Sequence, residues 1–269
     1  MTSWLGLPAL ASAHGAEIDH TIGLVHILML VLFVGWGTFF VYTLWRFRRS
    51  RQAKADYHGV KSHASSYLEV TVALVEAVLL FGFSIPIWAK RVDQLPPERD
   101  AVVVEVTAQQ FAWNIHYPGP DGIFARRQLA RVDMQSNPLG LDRSSPGGKD
   151  DVVSLNQLYL PVDRPVIVKL RSMDVIHGFN LPEFRVKQDA IPGFTIPVWF
   201  TPTVTTEDMR QRTGNPEFQY EIACAQLCGL GHYRMRGYVT IQSQQEYATW
   251  MAAEQAKLSD EGADKGVWD

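Results

Sequence analysis

Two long apolar runs lie in the first third of the chain, and the remainder alternates between short apolar and polar stretches. Residues 22–45 contain no Asp, Glu, Lys or Arg, and residues 68–88 contain only two glutamates. A hydrocarbon core of about 30 Å needs about 20 helical residues, so each run is long enough to cross a membrane as a helix. We therefore predict a transmembrane helical hairpin over residues 22–91.

The loop 46–66 between the two runs is strongly basic. It holds four Arg and two Lys against one Asp. Loops rich in Lys and Arg stay on the cytoplasmic side of a membrane, which predicts that both termini and everything after the hairpin lie on the opposite side. Residues 1–21 form an N-terminal segment in which Ala11 and Ala13 have the spacing of a signal-peptide cleavage site. The segment lacks a basic region, so cleavage and retention are both open.

Beyond a proline-containing linker at 92–100, short apolar runs alternate with turn residues. This pattern is typical of an all-β sandwich or barrel, which we place at 101–243. Residues 244–269 have the composition of a helix followed by a polar tail. The predicted strands are 102–107, 111–117, 166–171, 195–200, 218–223 and 237–242.

Composition narrows the class of protein further. The chain has 269 residues, of which 46% are apolar and 20% charged, and this balance excludes a disordered or fibrous protein. A net charge of −3 gives no basic surface for nucleic acid. Two cysteines are too few for a disulfide framework.

The chemistry is concentrated in one short segment. Cys224, Cys228, His232 and Met235 follow one another within twelve residues. Soft thiolate and thioether ligands favour copper, and the methionine argues against zinc. His177 follows a strand-like run and can reach the same rim of a sandwich. A disulfide and a zinc half-site are the alternatives for the cysteine pair.

This pattern resembles subunit II of haem–copper cytochrome c oxidase over almost the whole chain. The resemblance implies a cupredoxin-like Greek-key β-sandwich, anchored by the hairpin in a bacterial cytoplasmic membrane and carrying a dinuclear copper A centre. Electrons from a c-type cytochrome, or from a complex bearing c-type haem, would pass through it to haem in subunit I. There O2 reduction drives proton pumping, and subunit III accompanies the pair. The implied copper ligands are His177, Cys224, the Gln226 main-chain carbonyl, Cys228, His232 and Met235, with both thiolates bridging.

Further roles follow from the same resemblance. The site at which the electron donor docks would be marked by Phe111, Trp113 and Asp174. The family commonly has Trp at the position of Phe111. Gln226 replaces a Glu that commonly binds Mg²⁺ at the subunit I interface, and a neutral amide is a weaker ligand for that ion. Glu69 would form the entrance of a proton-uptake path beside subunit I. The alternative is that its carboxylate only extends to the polar membrane interface and has no part in proton transfer. The chain itself would only transfer electrons, and it would make or break no covalent bond of a substrate. A membrane-tethered copper-binding or copper-delivery protein is the alternative function.

Overall fold

The structure is a computed structural model that describes residues 3–55, 57–59 and 61–260. These residues fall into two compact units. One contains residues up to Leu7 together with Ala16–Asp93, and the other contains Pro8–Gly15 and everything from Gln94 onward.

The first unit is a pair of long apolar helices. Helix α1 spans Gly15–Arg46. The second helical stretch consists of α2 (Ala64–Leu79), a π-helical segment (Leu80–Ser84) and α3 (Ile85–Val92). By length and composition, α1 and the continuous stretch Ala64–Val92 can each cross a membrane. Their large apolar side chains are mostly exposed, as lipid-facing side chains are in an isolated chain.

Both helical stretches differ in detail from the prediction. Helix α1 begins at Gly15, before the uncharged run, and Glu17 lies in its first turn, where a carboxylate interacts favourably with the helix dipole. In the second stretch, Pro86 is the second residue of α3, one residue beyond the π-helical segment. A proline lacks the N–H that would continue the hydrogen-bond ladder, and a local change of helix type accommodates that loss.

The second unit is built from two five-stranded sheets, in the order β3-β2-β1-β5-β8 and β4-β10-β9-β6-β7. Strand β1 pairs in parallel with β5, and β10 pairs in parallel with β4, while the other pairs are antiparallel. The all-β class predicted for this part is confirmed. The strands are β1 (Val102–Gln109), β2 (Ala112–Tyr117), β3 (Val152–Leu155), β4 (Gln157–Pro161), β5 (Val166–Ser172), β6 (His177–Leu181), β7 (Val186–Ala190), β8 (Ile196–Phe200), β9 (Tyr220–Cys224) and β10 (Arg236–Gln242), with helices α4 (Thr206–Thr213) and α5 (Gln244–Asp260).

The core lies between the two sheets. Residues 113–117 of β2 are all fully buried, and Trp113 packs edge-on against Phe179 of the opposite sheet with ring centroids 5.6 Å apart. Helix α5 covers one end, where Trp250 stacks on Tyr159 at 4.3 Å. Each aromatic pair of this kind adds about 0.5–1.5 kcal/mol beyond its buried area.

Part of the N-terminal segment 1–21 belongs to the β unit. Residues 8–15 pack as part of the β unit, and Ala11 is fully buried. The Ala11 amide donates to the Glu183 carbonyl at 2.8 Å, and the Ala11 carbonyl accepts from the Thr203 amide at 2.9 Å. The Ser12 hydroxyl donates to the Phe184 carbonyl at 2.7 Å. These main-chain bonds attach the segment as an additional edge of the sandwich.

A long insert between β2 and β3 covers the outer face of the first sheet. Arg127 of the insert pairs with Glu105 of β1, and Asp151 pairs with His116 of β2. Glu105, His116 and Asp151 are all buried. Burial alone would raise the pKa of Glu105, but the hydrogen bond with His116 and the nearby Arg127 outweigh it and hold that pKa below its usual range. These two side-chain pairs fix the insert on the sheet.

Candidate metal centre

Six potential ligand atoms converge at one end of the sandwich. The two cysteine Sγ atoms lie 3.8 Å apart. His177 Nδ1 lies 3.9 Å from Cys224 Sγ and 3.2 Å from Met235 Sδ. His232 Nδ1 lies 3.7 Å from Cys228 Sγ. The Gln226 carbonyl oxygen lies 3.2 Å from Cys224 Sγ, and Met235 Sδ lies 3.7 Å from Cys228 Sγ.

Three strands of one sheet hold these residues in place. His177 is the first residue of β6 and Cys224 is the last residue of β9. Met235 immediately precedes β10, and its carbonyl accepts from the Cys224 amide at 3.3 Å. The Ala225 amide donates to the Gly178 carbonyl at 2.9 Å. A side chain at Gly178 would collide with the Ala225 main chain, so this close approach requires glycine.

A second layer of contacts orients the His177 ring. Asp174 Oδ1 lies 2.8 Å from His177 Nε2, which directs Nδ1 at the sulfur atoms. Burial alone would raise the pKa of Asp174, but hydrogen bonds from His177, Gln110 and Val175 hold that pKa below its usual range. A carboxylate on the outer nitrogen fixes the ring and raises its basicity as a ligand.

The inner part of the cluster is closed to solvent. His177 is fully buried, and Cys228 and Met235 are 2% and 3% exposed, whereas Cys224 is half-buried. Burial, followed by the neighbouring Cys224 thiol, raises the pKa of Cys228 to about 11. In the metal-free chain this thiol is therefore protonated at neutral pH, and a metal must displace the proton to bind there.

The donor set fits copper better than the alternatives. Both cysteines are free thiols, and their 3.8 Å separation is far beyond a disulfide bond of about 2.05 Å. The ligand atoms of His177, Cys224 and Cys228 lie within 4.8 Å of one another, close enough to share one ion. The adjoining thioether of Met235 is a ligand that copper accepts and structural zinc sites do not use.

A match to a family model identifies the chain's relatives. The model described as "Cytochrome C oxidase subunit II, periplasmic domain" matches residues 102–243. The chain belongs to the cytochrome c oxidase subunit II family. It is similar to the alternative cytochrome c oxidase subunit 2 of Bradyrhizobium diazoefficiens, with 34% identity over 235 residues, 87% of this chain and 79% of that protein. It is 28% identical to cytochrome c oxidase subunit 2 of Cereibacter sphaeroides over 267 residues, 94% of this chain and 80% of that protein.

A solved structure also overlaps with this subunit II. It is the crystal structure of the periplasmic domain of subunit II of cytochrome oxidase of Bradyrhizobium japonicum. The overlap covers 61% of this chain and 99% of that domain, with 24% identity and a TM-score of 0.42. Together, the family membership and the two helices of spanning length describe a membrane-anchored subunit of a haem–copper oxidase.

The predicted donor-docking residues of this subunit II lie at different depths. Asp174 is exposed, and Phe111 is half-buried with its ring against Gly231 of the loop 225–234, the candidate copper-binding loop. Trp113 is fully buried, with its ring centroid 6.2 Å from that of His177. Trp113 offers no exposed surface to a donor, because it shares its inward-facing side of β2 with buried Ile115 and Tyr117. Its predicted part in electron entry stays a prediction.

Glu69 lies in α2 and its side chain is exposed in the described chain. It is remote in sequence from the copper-binding loop, and it belongs to the other compact unit. Its predicted part in proton uptake stays a prediction.

One residue of the site was missed from the sequence. The Gln110 side-chain amide donates to the Cys228 carbonyl at 2.5 Å, and its main-chain N–H donates to Asp174 Oδ2 at 2.7 Å. A glutamine before an aromatic residue carries no spacing signal that singles it out. Only the folded arrangement brings it to a loop 118 positions later.

Proposed function

We propose that this subunit II accepts single electrons at a dinuclear copper A centre and passes them to haem in a partner subunit. The observation that supports this proposal best is that each thiol has an imidazole of its own. His177 Nδ1 lies 3.9 Å from Cys224 Sγ, and His232 Nδ1 lies 3.7 Å from Cys228 Sγ. His232 is not a member of the close set formed by His177 and the two cysteines, which favours two ions over one.

In this assignment Cys224 and Cys228 would hold both metals, and His177 and His232 would each hold one of them. When bound, the copper pair supplies a centre that takes up and releases one electron. The chain supplies rigid ligand geometry on strand ends, a ring orientation fixed by Asp174, and exclusion of water around Cys228 and Met235. A held geometry lowers the reorganisation that accompanies each electron transfer.

Gln226 contributes to this site through its main chain. Its carbonyl faces the Cys224 sulfur, while the residue as a whole is exposed on the loop. A side-chain amide there is a weak ligand for a hard cation. We therefore propose that the copper site of this chain does not depend on a Mg²⁺ ion bound by the Gln226 side chain.

The surface beside the site suits a weakly charged electron donor. Leu227, Leu230 and Tyr233 project from the copper-binding loop and are 77%, 97% and 83% exposed. Exposed apolar side chains grouped in this way mark a protein interaction site. We propose a c-type cytochrome, or a complex bearing c-type haem, as the donor that docks over this loop and Phe111.

The remaining parts of the proposal concern the complex and the membrane. The haem acceptor would be subunit I, where O2 is reduced and protons are pumped, with subunit III as a further partner. The hairpin would lie in a bacterial cytoplasmic membrane, and the basic loop 46–66 supports an orientation with the copper domain outside the cytoplasm. Glu69 would then admit protons from the cytoplasmic side.

Rapid mixing of the purified oxidase complex with a reduced c-type cytochrome tests the proposal. The near-infrared absorption of the copper centre should bleach before the haem of subunit I is reduced. A copper-delivery protein would instead release Cu(I) to a chelating acceptor and would show no such band. Haem reduction that precedes the bleaching would contradict the proposal.

A further inference from the structure

Gln110 is not a candidate copper ligand, but it contacts both the loop that carries Cys228 and the carboxylate that orients His177. Gln110 lies between β1 and β2, at the end of the first sheet. Its side-chain amide donates to the carbonyl of Cys228, at a donor–acceptor distance of 2.5 Å. Its main-chain N–H donates at 2.7 Å to the same Asp174 carboxylate whose other oxygen holds His177. Gln110 therefore touches both the loop ligands and the support of the upstream histidine.

We infer that Gln110 is a positioning residue that holds the loop 225–234 against the first sheet. The Ala225 amide holds the start of this loop through its hydrogen bond to the Gly178 carbonyl, and the Gln110 side chain holds its middle at Cys228, between the exposed residues Leu227 and Gly229. Gly229 adopts a φ of +130°, a conformation that side chains rarely permit, and a Cβ there would press on the Gln110 amide. The Gln110 side chain thus packs closely against Gly229, which has no side chain.

The two bonds of Gln110 can be separated by substitution. Gln110→Leu removes the side-chain donor and keeps a similar volume, while the main-chain N–H to Asp174 remains. Gln109 offers a matched control, because it is the same residue type one position earlier. Its Oε1 accepts from Asn114 at 3.1 Å, away from the copper-binding loop.

Hydrogen exchange in the full-length, copper-free chain tests the inference without any metal. A hydrogen bond of ordinary net strength protects its segment by about 2- to 12-fold, so Gln110→Leu should accelerate exchange across residues 225–234 by that factor. Gln109→Leu should leave exchange in this loop unchanged. Equal exchange rates in Gln110→Leu and the unmutated chain would overturn the inference.

A second measurement rests on the proposed function and uses copper-loaded full-length chain. Gln110→Leu should retain its copper content, since no ligand is removed, but should show altered hyperfine spacing because the Cys228 side of the site is less constrained. Gln110→Asn is too short to reach the Cys228 carbonyl and should give the same change. An unaltered spectrum in both variants would contradict the positioning role.

The two measurements separate the two ideas. Faster exchange in Gln110→Leu with no dinuclear spectrum in any copper-loaded chain would retain the positioning role and reject the proposed function. A dinuclear spectrum in the unmutated chain with unchanged exchange in Gln110→Leu would do the reverse.

Discussion

His177 Nδ1 lies 3.2 Å from Met235 Sδ, although the two residues are 58 positions apart in the chain. The contact exists because β6 and β9 are adjacent in one sheet, and β9 pairs with β10. A ligand that is distant in sequence therefore belongs to the same cluster as the short cysteine motif. The distance supports the assignment of His177 and Met235 to a single copper ion.

His177→Ala should abolish the dinuclear spectrum while leaving a folded domain. The substitution removes a buried ring, which costs about 0.5–3 kcal/mol of folding free energy. Copper content and the visible spectrum after loading provide the measurement, and His63→Ala, in an exposed position at the start of α2, is the control. If His177→Ala has the same copper content and the same spectrum as the unmutated chain, His177 is only structural.

Cys224→Ser should eliminate the centre with little effect on stability. Cys224 is half-buried, so few packing contacts change, but a hydroxyl is too hard a ligand to bridge two coppers. Thermal unfolding of the copper-free variant should resemble that of the unmutated chain. Persistence of a mixed-valence spectrum in Cys224→Ser would refute the bridging role.

Cys228 should resist alkylation at neutral pH in the copper-free chain. Its pKa is raised to about 11, so the reactive thiolate is scarce until the pH approaches that value. The folded state holds the proton more tightly than the unfolded state, whose thiol has an ordinary pKa. This contribution to stability is therefore present below pH about 9 and is lost as the pH rises towards 11.

Mass spectrometry after alkylation over a range of pH values measures this directly, with the two cysteines distinguished by their peptides. The Cys228→Ala variant should lose the corresponding part of the alkaline decline in stability. Rapid modification of Cys228 at pH 7, at the rate of an exposed thiol, would be incompatible with its buried, protonated state.

Ala11→Asp should destabilise the β unit by about 3–5 kcal/mol, because it places an uncompensated charge in a fully buried position. Ala13→Asp is the matched control, since Ala13 is exposed two positions later. Chemical denaturation of chain purified from its membrane measures the difference. If both substitutions are silent in the mature protein, residues 8–13 have been removed and cleavage after Ala13 is the correct alternative.

Phe111→Ala should slow oxidation of a c-type donor several-fold and leave the copper spectrum nearly unchanged. Phe111 covers Gly231 of the loop but supplies no ligand. The donor rate should also fall by less than several-fold between low and physiological ionic strength, because the exposed face is mainly apolar and steering by charge is weak. Stopped-flow kinetics decide both points, and a steep salt dependence would contradict the apolar docking surface.

Much of the fold and of the candidate site could be predicted from the sequence. Long uncharged runs and apolar alternation are local signals, so the hairpin and the strands around Val104, Ile167 and Ile222 were predictable. Strand β7 was not, because its residues Val186–Ala190 include Lys, Gln and Asp and form a strand through pairing with β6. The loop ligands were recognisable from their chemistry, but the contacts of Gln110 depend on strands distant in the chain.

The position of Trp113 shows how a local pattern can outweigh an expectation drawn from family resemblance. Its alternation with Ile115 and Tyr117 already indicated an inward-facing side of β2, whereas the resemblance of the aromatic stretch suggested a surface patch. The fold follows the alternation. Conversely, nothing in residues 8–15 indicated that Ala11 is part of the core, since its partners at Glu183 and Thr203 are remote.

Electron paramagnetic resonance of the copper-loaded, full-length chain tests the central claim most directly. One unpaired electron shared by two equivalent copper nuclei gives a seven-line hyperfine pattern, and copper analysis should find two ions per chain. We predict this pattern in the unmutated chain and its loss in both Cys224→Ser and His177→Ala. A four-line spectrum from a single copper, or a chain that binds only spectroscopically silent Cu(I), would contradict the account.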